Sequence, residues 1–208
     1  RFSYSSMTTP LEVYDYDMDA RTRVLRKKQE IPSGHDPANY VTKRLMAEAH
    51  DGELIPVSIL YKADTKINGS SPLMLYGYGS YGFSVPASFS PNRLSLVDRG
   101  YIYAIAHIRG GTEKGYGWYL NGKLDKKINT FRDFISAAEM LIEEKYTSPG
   151  KISIHGGSAG GLLIGACTNM RPELWGAAVG EVPFVDVLTT ISDASLPLTP
   201  PEWPEWGN

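Results

Sequence analysis

The sequence predicts an α/β fold, a mainly parallel sheet with helices on both faces. Two observations lead there. From residue 72 onward, short apolar runs such as PLMLYGYG, YIYAIAHI and KISIHG alternate with helix-like segments. These runs are continuously apolar instead of alternating in and out, which marks strands covered on both sides. With 208 residues, 42% hydrophobic and 21% charged, the chain can bury one core and an appended piece.

Residues 1 to about 46 hold PLEVYDYDMD and TRVLRKKQE, two strand-like runs around Asp19-Ala20-Arg21 that predict a hairpin. An isolated hairpin is barely stable, so it is expected to belong to a larger β structure upstream. Asp15, Asp17 and Asp19 alternate like the start of a calcium loop, but the loop glycine and closing glutamate are missing, since Arg26 stands at the last position. They read as one solvated face of an edge strand. EIPSGHDPANY reads as a linker and sets a domain boundary near residues 30 to 46.

Next come two alternating runs around an Asp51-Gly52 turn in RLMAEAHDGELIPVSILY, the strand PLMLYGYG and a short helix-like NRLSLVDRG. YIYAIAHI is a buried strand, and FRDFISAAEMLIEEKY is an amphipathic helix with Asn129 or Thr130 as its N-cap. KISIHG, the helix LLIGACTNM and the strand GAAVGEVPF complete the alternation.

A net charge of −2 without a Lys/Arg cluster gives no footprint for nucleic acid or an anionic membrane. No run nears the length of a membrane span, and the N-terminus has no signal-peptide architecture. The single cysteine, Cys167, excludes an internal disulfide and suits a cytoplasmic protein; in the helix after KISIHG it reads as a small core residue.

Gly156-Gly157-Ser158-Ala159-Gly160 matches GxSxG, in which the glycines permit a strained strand-to-helix turn that lifts the serine hydroxyl clear of the sheet. The pattern alone is weak. Its position, directly after a strand and directly before an apolar helix, is the setting the turn requires, so Ser158 is expected to be the nucleophile of an α/β-hydrolase. The Ala159 N–H supplies one oxyanion donor, and a second is expected from the loop Tyr76-Gly77-Tyr78-Gly79-Ser80-Tyr81-Gly82.

The general base is not found. In this fold the triad runs Ser, then Asp or Glu, then His, whereas His35, His50, His107 and His155 all precede Ser158. Asp186 and Asp193 follow the nucleophile too closely for the usual acid and read as loop or cap residues. The chain is therefore expected to be a fragment that lacks the triad Asp and His and is inactive alone.

LMLYGYGSYGF, AIAHIRGGTEKGYGW, SIHGGSAGGLLIGA, VPFVDVLTT and PLTPPEWPEWGN together closely resemble the prolyl oligopeptidase family, above all its oligopeptidase B branch. The resemblance implies a β-propeller over an α/β-hydrolase domain. Residues 1–40 would then be the end of the propeller with its linker, and residues 41–208 the first part of the catalytic domain. It implies Ser158 as nucleophile, Tyr78 beside the Ala159 N–H in the oxyanion hole, and Glu202 as partner of the substrate's Arg or Lys; no metal or organic cofactor is involved. A carboxylate suits that role because it accepts a bidentate guanidinium pair. Pro204 stands where the branch carries a second acid, with Glu205 beside it, and Pro86 and Ser88 replace further acids, so selection for paired basic residues is expected to be weak. The implied activity is cleavage of short peptides after Arg or Lys; alternatives are cleavage after Pro and a silent peptide-binding scaffold.

Overall fold

The computed structural model describes residues 1–208. The N-terminal sheet holds β1 (Phe2–Tyr4), β2 (Glu12–Asp17) and β3 (Thr22–Lys28), all antiparallel in the order β1-β2-β3. The expected hairpin is β2-β3, but β1 adds a third strand, so β2 is central and not an edge. The aspartates have local partners. Asp15 pairs with Arg1 and Arg26, each at 2.8 Å, and Asp17 Oδ1 accepts the turn N–H groups of Asp19 and Ala20.

The second sheet holds six strands: β4 (Tyr40–Glu48), β5 (Leu54–Lys62), β6 (Leu73–Tyr76), β7 (Ile102–Ala106), β8 (Ile152–Gly157) and β9 (Trp175–Glu181). Their order is β4-β5-β7-β6-β8-β9, with β6-β7, β6-β8 and β8-β9 parallel and the two pairings of β5 antiparallel. Parallel neighbours require crossovers, and the helices supply them. α1 (Pro91–Val97) connects β6 to β7, α3 (Ile128–Glu143) leads to β8 after a short α2 (Tyr116–Leu120), and α4 (Ala159–Met170) links β8 to β9.

Both sheet faces are covered, as the apolar strands predict. On one, Leu141 and Phe134 of α3 and Leu163 and Cys167 of α4 pack on Ile55, Leu73 and Ile154, all 0 to 1% exposed. On the other, Leu94 and Val97 of α1 meet Leu60, Tyr103 and Ile105, and Met7 from the N-terminal segment joins them. Burial pushes the Cys167 thiol pKa up, in keeping with a core residue.

Three details differ from the sequence reading. Lys127, not Asn129 or Thr130, occupies the N-cap position of α3; the Thr130 hydroxyl instead donates to the Arg109 and Gly122 carbonyls. GAAVGEVPF ends its strand at Glu181, and Val187–Ser192 forms α5 with Asp186 as its side-chain cap. The proline-rich C-terminal segment is not a tail but α6 (Thr199–Trp206). Pro200 and Pro201 stand in the first turn, where a missing N–H would have no partner, and Pro204 lies inside the helix. α6 is docked on α5 by the Thr199 hydroxyl and the Trp203 indole, which donate to the Thr190 and Ile191 carbonyls.

Candidate active site

Ser158 stands between β8 and α4 with φ 55° and ψ −118°, a region unfavourable for any residue but glycine. Its neighbours hold it there. The Ser158 N–H donates to Glu181 O at 2.8 Å, and its carbonyl accepts from Gly161 at 2.8 Å and Phe184 at 3.0 Å. The flanking glycines are required by close approach: a Cβ on Gly156 would collide with the Gly160 carbonyl, and one on Gly160 would lie 3.0 Å from Gly77 O. Ser158 is thus exposed at the top of the sheet while Ala159, in the first turn of α4, is 2% exposed. The first N–H groups of a helix have no partner within it and carry its positive end, the environment an oxyanion needs.

A pocket of about 430 Å³ opens beside Ser158, lined by Tyr81, Phe184, Ile191, Leu198 and Glu202 among others. The structure thereby brings Ser158 and Glu202, 44 positions apart (202 − 158), onto one cavity. Glu202 is partly buried, and its Oε2 accepts from the Tyr81 hydroxyl at 2.8 Å and the Trp206 indole at 2.9 Å. Both donors are neutral, and none of the chain's ion pairs includes Glu202. Its charge is left for something else to neutralise.

Tyr78 lies against the strand-to-helix turn that carries Ser158. Its Cδ2 is 3.3 Å from where a Gly160 Cβ would be, and its ring meets Phe83 edge-on at 5.4 Å. Burial pushes its phenol pKa up, so the hydroxyl keeps its proton and remains a donor. Tyr81, which the sequence offers only as one more loop aromatic, is the tyrosine that lines the pocket.

None of the four histidines lines that pocket. His35 stacks on Tyr40, His50 is exposed beside Arg132, and His155 lies 3.2 Å from Glu181. His107 does form a serine-histidine-carboxylate relay, with Ser58 Oγ at 2.8 Å from Nε2 and Glu113 Oε1 at 3.4 Å from Nδ1. Ser58 and His107 are each 2% exposed, so no substrate reaches them. The relay is a buried polar network.

A strained, exposed serine between strand and helix, on a sheet of this order and connectivity, defines an α/β-hydrolase. A sequence profile of the Prolyl oligopeptidase family matches residues 87–208, more than half of the chain, and the chain belongs to that family. It is 48% identical over 209 residues to dipeptidyl aminopeptidase BI of Pseudoxanthomonas mexicana, covering 100% of this chain and 29% of the relative. Against protease 2 of Moraxella lacunata identity is 43%, covering 99% and 30% of the two chains. Oligopeptidase B from Leishmania major superposes with a TM-score of 0.94 at 49% identity, covering 99% of this chain and 29% of the other. Oligopeptidase B from Trypanosoma brucei, solved with covalently bound antipain, gives a TM-score of 0.94 at 50% identity, with the same coverage. The chain therefore spans under a third of the length of these relatives. No helix is long and apolar enough to cross a membrane.

Proposed function

We propose that this chain acts within a longer polypeptide as the nucleophile-bearing part of a serine oligopeptidase that cuts short peptides after Arg or Lys. The observation that carries the reading is the uncompensated Glu202 carboxylate in the pocket that opens at Ser158. A cationic side chain entering there meets a preformed acceptor, and its own scissile carbonyl is brought towards the serine.

In the reaction, Ser158 Oγ adds to the carbonyl carbon and its proton passes to a histidine supplied outside this chain. The oxyanion takes hydrogen bonds from the Ala159 N–H and the Tyr78 hydroxyl. The tetrahedral species then collapses, the leaving amine takes the proton, and water hydrolyses the acyl-enzyme by the same route in reverse. Strand β9 supports an external base: it is the sheet edge, and Gly176 to Glu181 are exposed, so further strands can add there and present an acid and a histidine beside Ser158. Residues 1–40 fit the end of a propeller, since their antiparallel strands form a sheet of their own. A reducing, cytoplasmic setting suits the buried Cys167.

Intact mass after treatment with a fluorophosphonate tests the reading. The 208-residue chain should remain unlabelled, while the longer polypeptide should be labelled at Ser158 and lose the label in Ser158→Ala. The longer polypeptide should also cleave a peptide after Arg, and cleavage after Pro instead would overturn the assignment of Glu202. Labelling of the 208-residue chain itself would show that the base lies within it.

A further inference from the structure

α6 carries two carboxylates, and the structure gives them different surroundings. Glu202 faces the pocket with neutral donors only, whereas Glu205, three residues later, is 2% exposed and lies 3.3 Å from Lys127 Nζ. Its other oxygen accepts the Tyr119 hydroxyl at 2.9 Å. Glu205 is therefore already occupied by Lys127 and Tyr119 and does not replace the acid missing at Pro204.

Lys127 makes contact with both segments that aim Glu202. Its ammonium has three protons, and three acceptors surround it: Gly79 O at 2.7 Å, Ser80 Oγ at 2.5 Å and Glu205 Oε1 at 3.3 Å. The first two belong to the loop that carries Tyr81, and the third to the helix that carries Trp206, whose ring lies 4.8 Å from the same ammonium. Tyr81 and Trp206 are the two donors to Glu202. A lysine here is costly for two reasons: its side chain is only 12% exposed, and it stands at the N-terminus of α3, where the helix dipole repels a cation. A group held against both penalties needs a compensating role, and bridging the glycine loop to α6 is the one the geometry offers.

We propose that Lys127 is a positioning residue for cation recognition: by tying the Tyr78–Gly82 loop to α6 through Glu205, it fixes the Glu202 carboxylate in the pocket beside Ser158. The inference rests on the reading of Glu202 given above. Lys127 touches no substrate; its effect passes through Tyr81 and Trp206. Its removal should therefore lower the affinity for a cation in this pocket while leaving a neutral molecule of the same shape nearly unaffected.

Benzamidine and its neutral isostere benzamide provide the test on the longer polypeptide that contains this chain. Isothermal titration reports binding, and circular dichroism reports folding. The wild-type chain should prefer benzamidine, and Glu202→Gln should abolish the preference. Lys127→Met should reduce the benzamidine preference about tenfold, the scale of one hydrogen bond to a charged group, with benzamide affinity unchanged. Glu205→Gln, which keeps the shape of the side chain, should reduce it in the same direction and stands as the decisive variant if Lys127→Met does not fold. If Glu202→Gln abolishes the preference while both other variants keep it, the Lys127 inference is overturned and the Glu202 reading stands. If the wild-type chain shows no preference for the cation, the Glu202 reading fails and the inference falls with it.

Discussion

The Tyr81 hydroxyl donates to Glu202 Oε2 at 2.8 Å across 121 positions of sequence, joining the glycine loop after β6 to the C-terminal helix at the mouth of the Ser158 pocket. Burial, reinforced by the bond to Glu202, pushes the Tyr81 phenol pKa up, so this donor persists at any physiological pH. Tyr81→Phe removes the donor and keeps the ring. Benzamidine affinity should fall about three- to tenfold, the worth of one bond to a charged acceptor, with little change in melting temperature. Isothermal titration and a thermal melt of the two chains would check it.

Ser158 holds a strained backbone at the turn between β8 and α4. At φ 55° glycine is free of the penalty that any side chain suffers. Ser158→Gly should therefore stabilise the fold by about 1 kcal/mol while abolishing fluorophosphonate labelling of the longer polypeptide. Ser158→Ala should abolish labelling without the gain. Urea denaturation of the three chains separates strain from chemistry.

Arg109 joins the loop after β7 to α3. Its guanidinium pairs with Asp133 at 2.6 Å and Asp51 at 2.5 Å, and Asp133 is 0% exposed. Asp133→Ala removes the acceptor of the Arg109 backbone N–H and of two guanidinium N–H groups while Asp51 still balances the charge, so it should cost about 2–4 kcal/mol. A denaturant midpoint shifted by less than a third of that would show the pair to be dispensable.

Burial holds the Lys127 pKa at about 8, down from an ordinary 10.5, although Glu205 pulls the other way. The charged groups near it are Glu205 on α6 and, through the Tyr119 hydroxyl, Lys123. Between these two pKa values the unfolded chain binds a proton that the folded chain has released, so the contribution of Lys127 to stability rises with pH. The bond to Glu205 changes oppositely, weakening as the ammonium deprotonates above about 8. Benzamidine affinity should therefore decline between pH 7 and 9.5, while Lys127→Met should show no such decline. Titrations at the two pH values check both slopes.

The parallel core and the strand-to-helix turn at Ser158 were legible in the sequence because each rests on local pattern. Continuous apolar runs mark covered strands, and a serine flanked by glycines after a strand marks the turn. β1 was missed because three residues carry no period. α6 was missed because its prolines mask a helix that tertiary docking on α5 supplies.

By itself, the sequence determined which residues have the chemical capacity for the proposed steps: a serine at a strand-to-helix turn, the N–H after it and an acid capable of meeting a cation. The tertiary structure decided which of two glutamates three residues apart faces the pocket and which is held by Lys127. It also decided that the serine-histidine-carboxylate relay within the chain is sealed in the core. The physical reason is that composition and spacing specify chemical capacity, whereas burial, charge compensation and aim arise only when segments distant in sequence pack together.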